Sequence, residues 1–199
     1  MLSGSRFEES LRAKVLSQTP HSDSQRLVKI PPEAASGVNL PDDALAFLIE
    51  AGLPRSCAPF IGFEELGSGL RRIWEVYSTG QWKDKPTEIL APFIVIGSEG
   101  SGSPVCLTEP DGRVVILDHE LFSLPKRCLR EAVFLNTSVP QLAECLIAAA
   151  CSPLKERLET TRSIDALAAE NGAFWHDDIA SELEMEAGYE SRNPWWKFW

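Results

Sequence analysis

The order of secondary-structure signals along the chain predicts an α+β fold. Segments rich in β-branched and aromatic residues cluster in the middle of the sequence, and segments with helical patterns precede and follow them. Strands and helices do not alternate as they would in a parallel βαβ protein. We therefore expect one sheet with helices before and after it in the chain.

Size and composition define the class of protein. The chain has 199 residues, of which 44% are apolar, enough to fill the core of one domain with appendages. The longest wholly apolar stretches, such as Leu146–Ala150, fall far short of the roughly 20 residues of a membrane helix. Met1–Val15 is too charged for a secretory signal. We expect a cytoplasmic protein with no membrane contact.

The N-terminal third predicts an extension followed by a helix. Residues 1–38 are polar, with one loose helix on Phe7, Leu11 and Val15, and we expect them to be flexible. Folding is expected to begin in 40–52, where Pro41 and two aspartates suit a helix start and Gly52 suits its end.

The middle of the chain predicts strands. Branched and aromatic residues fill Phe60–Phe63, Leu70–Tyr77, Ile89–Ile96, Val105–Leu107, Arg113–Leu117 and Ala132–Leu135. Glu109-Pro110-Asp111-Gly112 is a turn sequence between two of these runs, because proline fixes φ and glycine accepts a positive φ. We expect a β-hairpin there.

The last third predicts helices. Ser138 and Gln141 have the spacing of a capping box, which would open a helix to about Cys151. Ser152-Pro153 would open a second helix, and a third is expected from about Asp177 to Ala187, with Gly188 as its end. The predicted domain covers 39–190 and leaves 191–199 as an aromatic tail. The tail could pack on the core, contact a partner or meet a membrane interface.

The net charge of −10 is concentrated near the C-terminus. Residues 131–199 carry twelve acidic and five basic side chains, and Ser163–Ser191 contains eight acids without one lysine or arginine. Such a surface repels nucleic acid and attracts a basic protein.

No motif for chemistry is evident, and we expect no catalytic residue, cofactor or metal. The turn Gly97–Gly102 lacks the lysine and following helix of a phosphate-binding loop, which favours a flexible connection between strands. Asp118-His119-Glu120 and His176-Asp177-Asp178 contain metal-ligand types without ligand spacing. The five cysteines form no C-x-x-C pair, and we expect reduced, mostly buried thiols, with Cys145 and Cys151 as small core residues.

The order of several short pieces resembles the SUKH superfamily, in particular the SUKH-4-like immunity proteins that protect bacteria against polymorphic toxins. The pieces are Leu40-Pro41-Asp42, Gly52-Leu53-Pro54, Phe93–Gly97, Asp111–Val114, Phe134–Ser138 and Phe174-Trp175. Each piece is short, and their order carries the resemblance. Thr137 stands where the family often has a second serine.

The resemblance implies a twisted antiparallel β-sheet flanked by N-terminal and C-terminal helices, no catalytic residues, and a cognate protein toxin as partner. An acidic inhibitor suits a toxin that attacks nucleic acid, because such toxins carry basic clefts. The alternative is a SUKH-like regulatory adaptor that bridges cellular proteins.

The expected partner contacts lie on the acidic helix, with the glycine loop as a second possibility. Asp178, Glu182 and Glu186 follow one another at i, i+4 spacing and would align on one stripe of the helix. The candidate contact residues are Asp177, Asp178, Glu182, Glu186, Glu99 and Trp175.

Overall fold

The computed structural model describes residue 9 and residues 27–57, 61–63, 69–77 and 88–192. The predicted helix on Phe7, Leu11 and Val15 lies outside these residues, as do Phe60 and positions 193–199 of the aromatic tail. None of the helices in the described part is both long and apolar enough to cross a bilayer.

The described residues place most strands in the middle of the chain and longer helices before and after them, as the sequence predicts, together with short strands and helices that were not predicted. The strands are β1 (Leu27–Val28), β2 (Leu53–Pro54), β3 (Ser56–Cys57), β4 (Ile61–Phe63), β5 (Arg71–Arg72), β6 (Phe93–Glu99), β7 (Pro104–Thr108), β8 (Val114–Ile116) and β9 (Val133–Asn136). The α-helices are α1 (Asp42–Glu50), α2 (Ile73–Val76), α3 (Pro125–Arg130), α4 (Val139–Cys151), α5 (Leu154–Ile164) and α6 (Phe174–Arg192). Four 3-10 helices occupy Pro32–Ala35, Glu88–Leu90, His119–Leu121 and Leu167–Ala169.

The main sheet is antiparallel throughout the described strands, and the α+β prediction is confirmed. Its order is β3-β4-β6-β7-β8-β9, and β5 pairs with β6 beyond the end of β4. The predicted hairpin joins β7 to β8, and Gly112 in its turn has φ +71°. That turn packs on Pro41, so the hairpin lies against the start of α1.

Alternating side chains give the sheet two buried faces. Ile94 and Ile96 of β6 join the larger core, whereas Val95 between them points into a smaller core with Cys106 of β7 and Val115 of β8. Period-two alternation produces this division because successive strand residues face opposite sides. Each face therefore carries its own layer of helices.

α4 is the central helix of the larger core. Nine of its thirteen residues are buried, and α1, α5 and β9 all contact it. α6 packs on α5 and β9 at one end of the same layer. The short helices α2 and α3 cover the smaller core on the opposite face. The position of α6 at the end of its layer leaves one side of it exposed to solvent.

Residues 27–38 belong to the folded domain and not to a flexible extension. β1 pairs with β2, Ile30 is buried, and its amide donates to Leu48 O at 3.1 Å. Gly37 O accepts hydrogen bonds from Arg72, whose guanidinium also pairs with Glu109 at 3.0 Å. No local signal predicted β1, because its two residues are too few to show a strand period.

Two predicted strands have different bounds in the structure. Leu70–Tyr77 forms only the two-residue β5 before α2 begins, because the Glu75 carboxylate accepts the Arg72 amide at 2.7 Å and starts a helical turn. Ile89–Ile96 contains Pro92, which has no amide hydrogen for a ladder, and β6 starts after it at Phe93.

The helix ends also differ in detail. Ser138 caps α4 through its Oγ, but Gln141 does not complete a capping box, since its Nε2 donates to Ile164 O at 3.1 Å. Ser152 makes no side-chain cap, and Pro153 precedes α5. α6 begins three residues before Asp177 and continues past Gly188 to Arg192, since one glycine costs a helix only about 1 kcal/mol.

A buried polar network anchors the start of α6. Asn136, at the end of β9, donates from Nδ2 to Asp165 Oδ2 and to Cys145 Sγ, both at 3.3 Å, and accepts the Trp175 indole N–H at 2.9 Å. The Asp165 carboxylate also accepts the Thr137 amide at 2.6 Å and the Thr137 hydroxyl at 2.9 Å. Asn136, Asp165 and Trp175 are at most 3% exposed. This network ties β9, α4 and α6 together.

Gly97→Ala is expected to destabilise the protein by about 1–3 kcal/mol. A Cβ at Gly97 would clash with the backbone carbonyl of Gly62, which pairs with β6 across the sheet. The matched control is Gly188→Ala, because a Cβ at this position meets open space. Alanine in place of glycine within a helix should raise the unfolding free energy by about 0.5–1 kcal/mol. Urea unfolding of both variants measures the two changes in unfolding free energy. Equal changes would contradict the close approach of Gly97 to Gly62.

Asp165→Asn is expected to cost about 2–4 kcal/mol of unfolding free energy, because the new amide would turn a donor toward donors of Thr137 or Asn136. Asp42→Asn is the control, because Asp42 is exposed in the first turn of α1 and takes no part in the network. Chemical denaturation measures both. A loss below 0.5 kcal/mol, taken here as roughly the effect of a surface change, would show that the network is dispensable.

Candidate partner-binding surface

α6 has one buried side and one acidic side. Trp175 and Ile179, four residues apart, are buried, and Leu183 continues that stripe. Asp177 and Glu184 lie on the opposite side and are exposed. No lysine or arginine occurs within 174–188, so the exposed side of the helix is negatively charged.

The structure divides the predicted Asp178–Glu182–Glu186 stripe. Glu186 is exposed, whereas Asp178 and Glu182 are partly buried beside α5. Arg157 of α5 pairs with Glu182, with Nη1 2.8 Å from Oε2. Arg157 lies 25 residues from Glu182 in the chain, so local spacing could not reveal the pair. The exposed acids of α6 are therefore Asp177 and Glu184, opposite the buried stripe, and Glu186, which lies beyond Leu183 on the other side of the helix.

Asp178 sits in an unfavourable electrostatic environment. Its pKa is raised to about 6, mainly by burial and further by the nearby charge of Glu182, while Arg157 acts in the opposite direction. The charged form of Asp178 is thus disfavoured by the fold.

Asp177 is held differently at the first turn of α6. The hydrogen bond with His176, at 2.8 Å, lowers the pKa of Asp177, and the amide of Gly172 donates to the same carboxylate at 3.2 Å. Its side chain is 57% exposed. Asp177 therefore stays ionised at neutral pH and joins the loop before α6 to the acidic side of the helix.

Glu99 closes its own turn instead of projecting from it. Its carboxylate accepts the amides of Ser101 at 2.8 Å and Ser103 at 3.1 Å, and it also accepts the Ser101 hydroxyl. Partial burial raises the pKa of Glu99, but these hydrogen bonds outweigh it and leave the pKa below its usual value. Gly97, Ser98 and Glu99 belong to β6, so the connection is a short bonded turn.

Trp175 lies in the core, contrary to its expected place at a partner contact. It is 1% exposed, and its ring packs edge-on against Phe174 at 5.5 Å between centroids. With its indole N–H bonded to Asn136, the side chain has no surface to offer a partner. Trp175 fixes the position of the start of α6 against the core.

The other candidate groups show local structural contacts. Ser103 Oγ lies 3.1 Å from His119 Nδ1, and Asp118 caps the 3-10 helix that contains His119. Within the described residues, no three metal-ligand side chains come together. Cys106, Cys128 and Cys145 are buried, and burial raises the pKa of Cys145 to about 12. Cys151 is exposed at the last residue of α4, where the helix leaves the core, and is not a core residue.

Comparison with known families identifies the scaffold. The model of the SUKH-4 immunity protein family matches residues 20–151, more than half of the chain. The chain belongs to the SUKH-4 immunity protein family. The matched residues include β1, the whole described main sheet and α4. Neither the curated proteins nor the solved structures compared with the chain gave a match.

The family match and the acidic surface occupy different parts of this SUKH-4 protein. The match ends at Cys151, the last residue of α4, and α5 and α6 follow it. It begins at residue 20, before β1, which agrees with the packing of 27–38 on the domain. The buried network crosses this boundary, because Asn136 lies within the match and Asp165 and Trp175 lie beyond it.

Asp178→Asn is expected to stabilise the protein above pH 6. The pKa of Asp178 rises from 3.8 to about 6 on folding, so the folded state binds more protons in this interval and stability falls as pH rises through it. The variant should gain about 1 kcal/mol at about pH 8, after allowance for solvent screening, and nothing below about pH 4.

Urea unfolding across this pH range measures the effect of Asp178→Asn. Asp177→Asn is the control, because the folded state favours the ionised form of that carboxyl and its loss should destabilise the protein at neutral pH. A variant at Asp178 that is less stable than wild type at pH 8 would refute the electrostatic assignment.

Proposed function

We propose that this SUKH-4 protein acts in the cytoplasm as the immunity partner of a toxin that attacks nucleic acid, and that it binds the toxin through the exposed acids of α6. Membership of an immunity protein family supports the role. The observation that carries the choice of surface is the set of exposed acids Asp177, Glu184 and Glu186 on a helix that has no lysine or arginine of its own before Arg192.

The proposed mechanism begins with electrostatic steering. Enzymes that bind nucleic acid carry basic clefts that neutralise phosphates. A carboxylate-rich helix would be drawn into such a cleft, and complementary fields raise association rates by about 10- to 1,000-fold. Asp178 and Glu182 contribute less, because they are partly buried and Arg157 offsets part of their charge.

The second stage is steric blocking. α6 is anchored at its start by Trp175 and Ile179 in the core, so its exposed side is presented on a fixed support. A bound helix that occupies the cleft excludes the substrate without any chemical step. The inhibitor then needs no catalytic residue, cofactor or metal of its own.

Co-expression with the product of the adjacent gene tests the role. We expect rescue of growth from a toxic neighbour together with co-purification of the two proteins. A harmless neighbour and no complex would overturn the proposal and favour the adaptor function.

Charge reversal tests the surface. The triple variant Asp177→Lys, Glu184→Lys, Glu186→Lys is expected to slow association with the toxin at least tenfold at 50 mM salt, and the difference should shrink at high salt because ions screen the exposed charges. Stopped-flow or biosensor kinetics measure the rates.

The matched control changes the same number of charges elsewhere. Glu33, Glu88 and Glu120 are exposed and lie outside α6. Their combined replacement by lysine should leave most of the association rate intact. If both triple variants slow association equally, total charge and not the α6 surface would account for the steering.

A further inference from the structure

A cavity of about 260 Å³ opens beside β9, next to the acidic surface. Phe134 and Ala132 form its wall on the side of the sheet, and Leu167, Glu170 and Asn171 come from the segment that leads into α6. Ligand sites for small molecules have volumes of about 300–1,000 Å³. This cavity is smaller, and its size suits a single side chain from another protein.

The cavity combines an apolar wall with a polar rim. Phe134 is partly buried, and Leu167, at the mouth, is 46% exposed. Glu170 and Asn171 are exposed at the rim. The lining is thus mixed, with Ala132, Phe134 and Leu167 as its apolar part and Arg113, Glu170 and Asn171 as its polar part, and protein interfaces commonly combine an apolar centre with a polar rim.

The cavity lies at the edge of the main sheet. β9 is the last strand in the described order and pairs with β8 alone among the described strands. The polar network occupies the end of β9 at Asn136 and Thr137, whereas the cavity adjoins Ala132 and Phe134. The part of this edge not covered by the network is therefore short, and the cavity lies beside it.

The charges around the cavity favour a basic partner. Arg113 is engaged with Asp111 of its own hairpin, with Nε 3.1 Å from Oδ2. Glu170 has an exposed carboxylate on the rim, and Gly172 of the lining donates its amide to Asp177. The cavity is thus continuous with the acidic start of α6, and its surroundings carry more carboxylates than cations.

We propose that the partner inserts one large apolar side chain, aromatic or aliphatic, into the cavity formed by Phe134, Leu167 and Ala132, with a basic residue of the partner beside it facing Glu170. This inference rests on the proposed toxin-binding function. In this inference the acids of α6 speed association with the partner, and the cavity slows dissociation of the bound partner.

The test is the kinetics of binding to the catalytically inactive toxin domain encoded beside this gene. Leu167→Asp removes the apolar side chain at the mouth and adds a negative charge that would by itself favour a basic partner. Asn171→Trp obstructs the mouth without removing the wall. Each variant is expected to raise Kd at least tenfold, mainly through faster dissociation, and Asn171→Trp, which adds no charge, should leave the salt dependence of association unchanged. Leu167→Met should keep most of the affinity.

Leu124→Asp is the matched control, because Leu124 is 53% exposed at the start of α3 on the opposite face of the sheet. It should bind as wild type does. The inference is overturned if Leu167→Asp and Asn171→Trp bind within twofold of wild type, or if Leu124→Asp is equally impaired. Should the triple α6 variant still slow association in that case, the proposed function stands without the cavity. No complex with the wild-type chain would overturn both.

Discussion

The buried carboxylate of Asp165 is the constraint on which the C-terminal half of the structure depends. A buried carboxylate is costly unless its oxygens are hydrogen-bonded, and here the backbone and side chain of Thr137 and the amide of Asn136 supply the donors. The remaining acceptor of Asn136 takes the Trp175 indole. Each group in this chain of bonds needs the next one in place, so β9, the segment after α5 and the start of α6 must come together as a unit. α6 has its position, and hence its exposed side, because of this network.

The two-sided sheet explains how a small domain can present α6 and the edge of β9 together. Because both sheet faces are buried, the layer with α4 can hold α1, α5 and α6 while α2 and α3 close the other face. α6 at the end of its layer packs on β9 and α5. The outermost helix of the layer and the outermost described strand of the sheet therefore meet. The acidic surface and the cavity are neighbours as a consequence of this topology.

Local signals in the sequence predicted the elements whose causes are local. The Asp42-Asp43 start of α1, the Gly112 turn and the Ser138 cap depend on residues a few positions apart, and all three are confirmed. The strand predicted at Leu70–Tyr77 is limited to Arg71–Arg72, because the branched and aromatic residues after it are also compatible with a short helix that buries Ile73. The site was less predictable. The Arg157–Glu182 pair and the cavity exist only after α5 and the segment at Leu167 have packed. The burial of Trp175 had a local signal that was not used, because Trp175, Ile179 and Leu183 recur at four-residue spacing.

The separation of inner from outer acids on α6 has a physical consequence for recognition. Exposed charges act over about 10 Å at 0.1 M salt, so Asp177, Glu184 and Glu186 can influence a partner before contact. Apolar burial acts only at contact, because it requires water to leave the surface. The acids and the cavity therefore operate at different stages of one encounter, the first on association and the second on dissociation. A partner that satisfies both must place a basic surface next to an apolar side chain, which is a more selective requirement than charge alone.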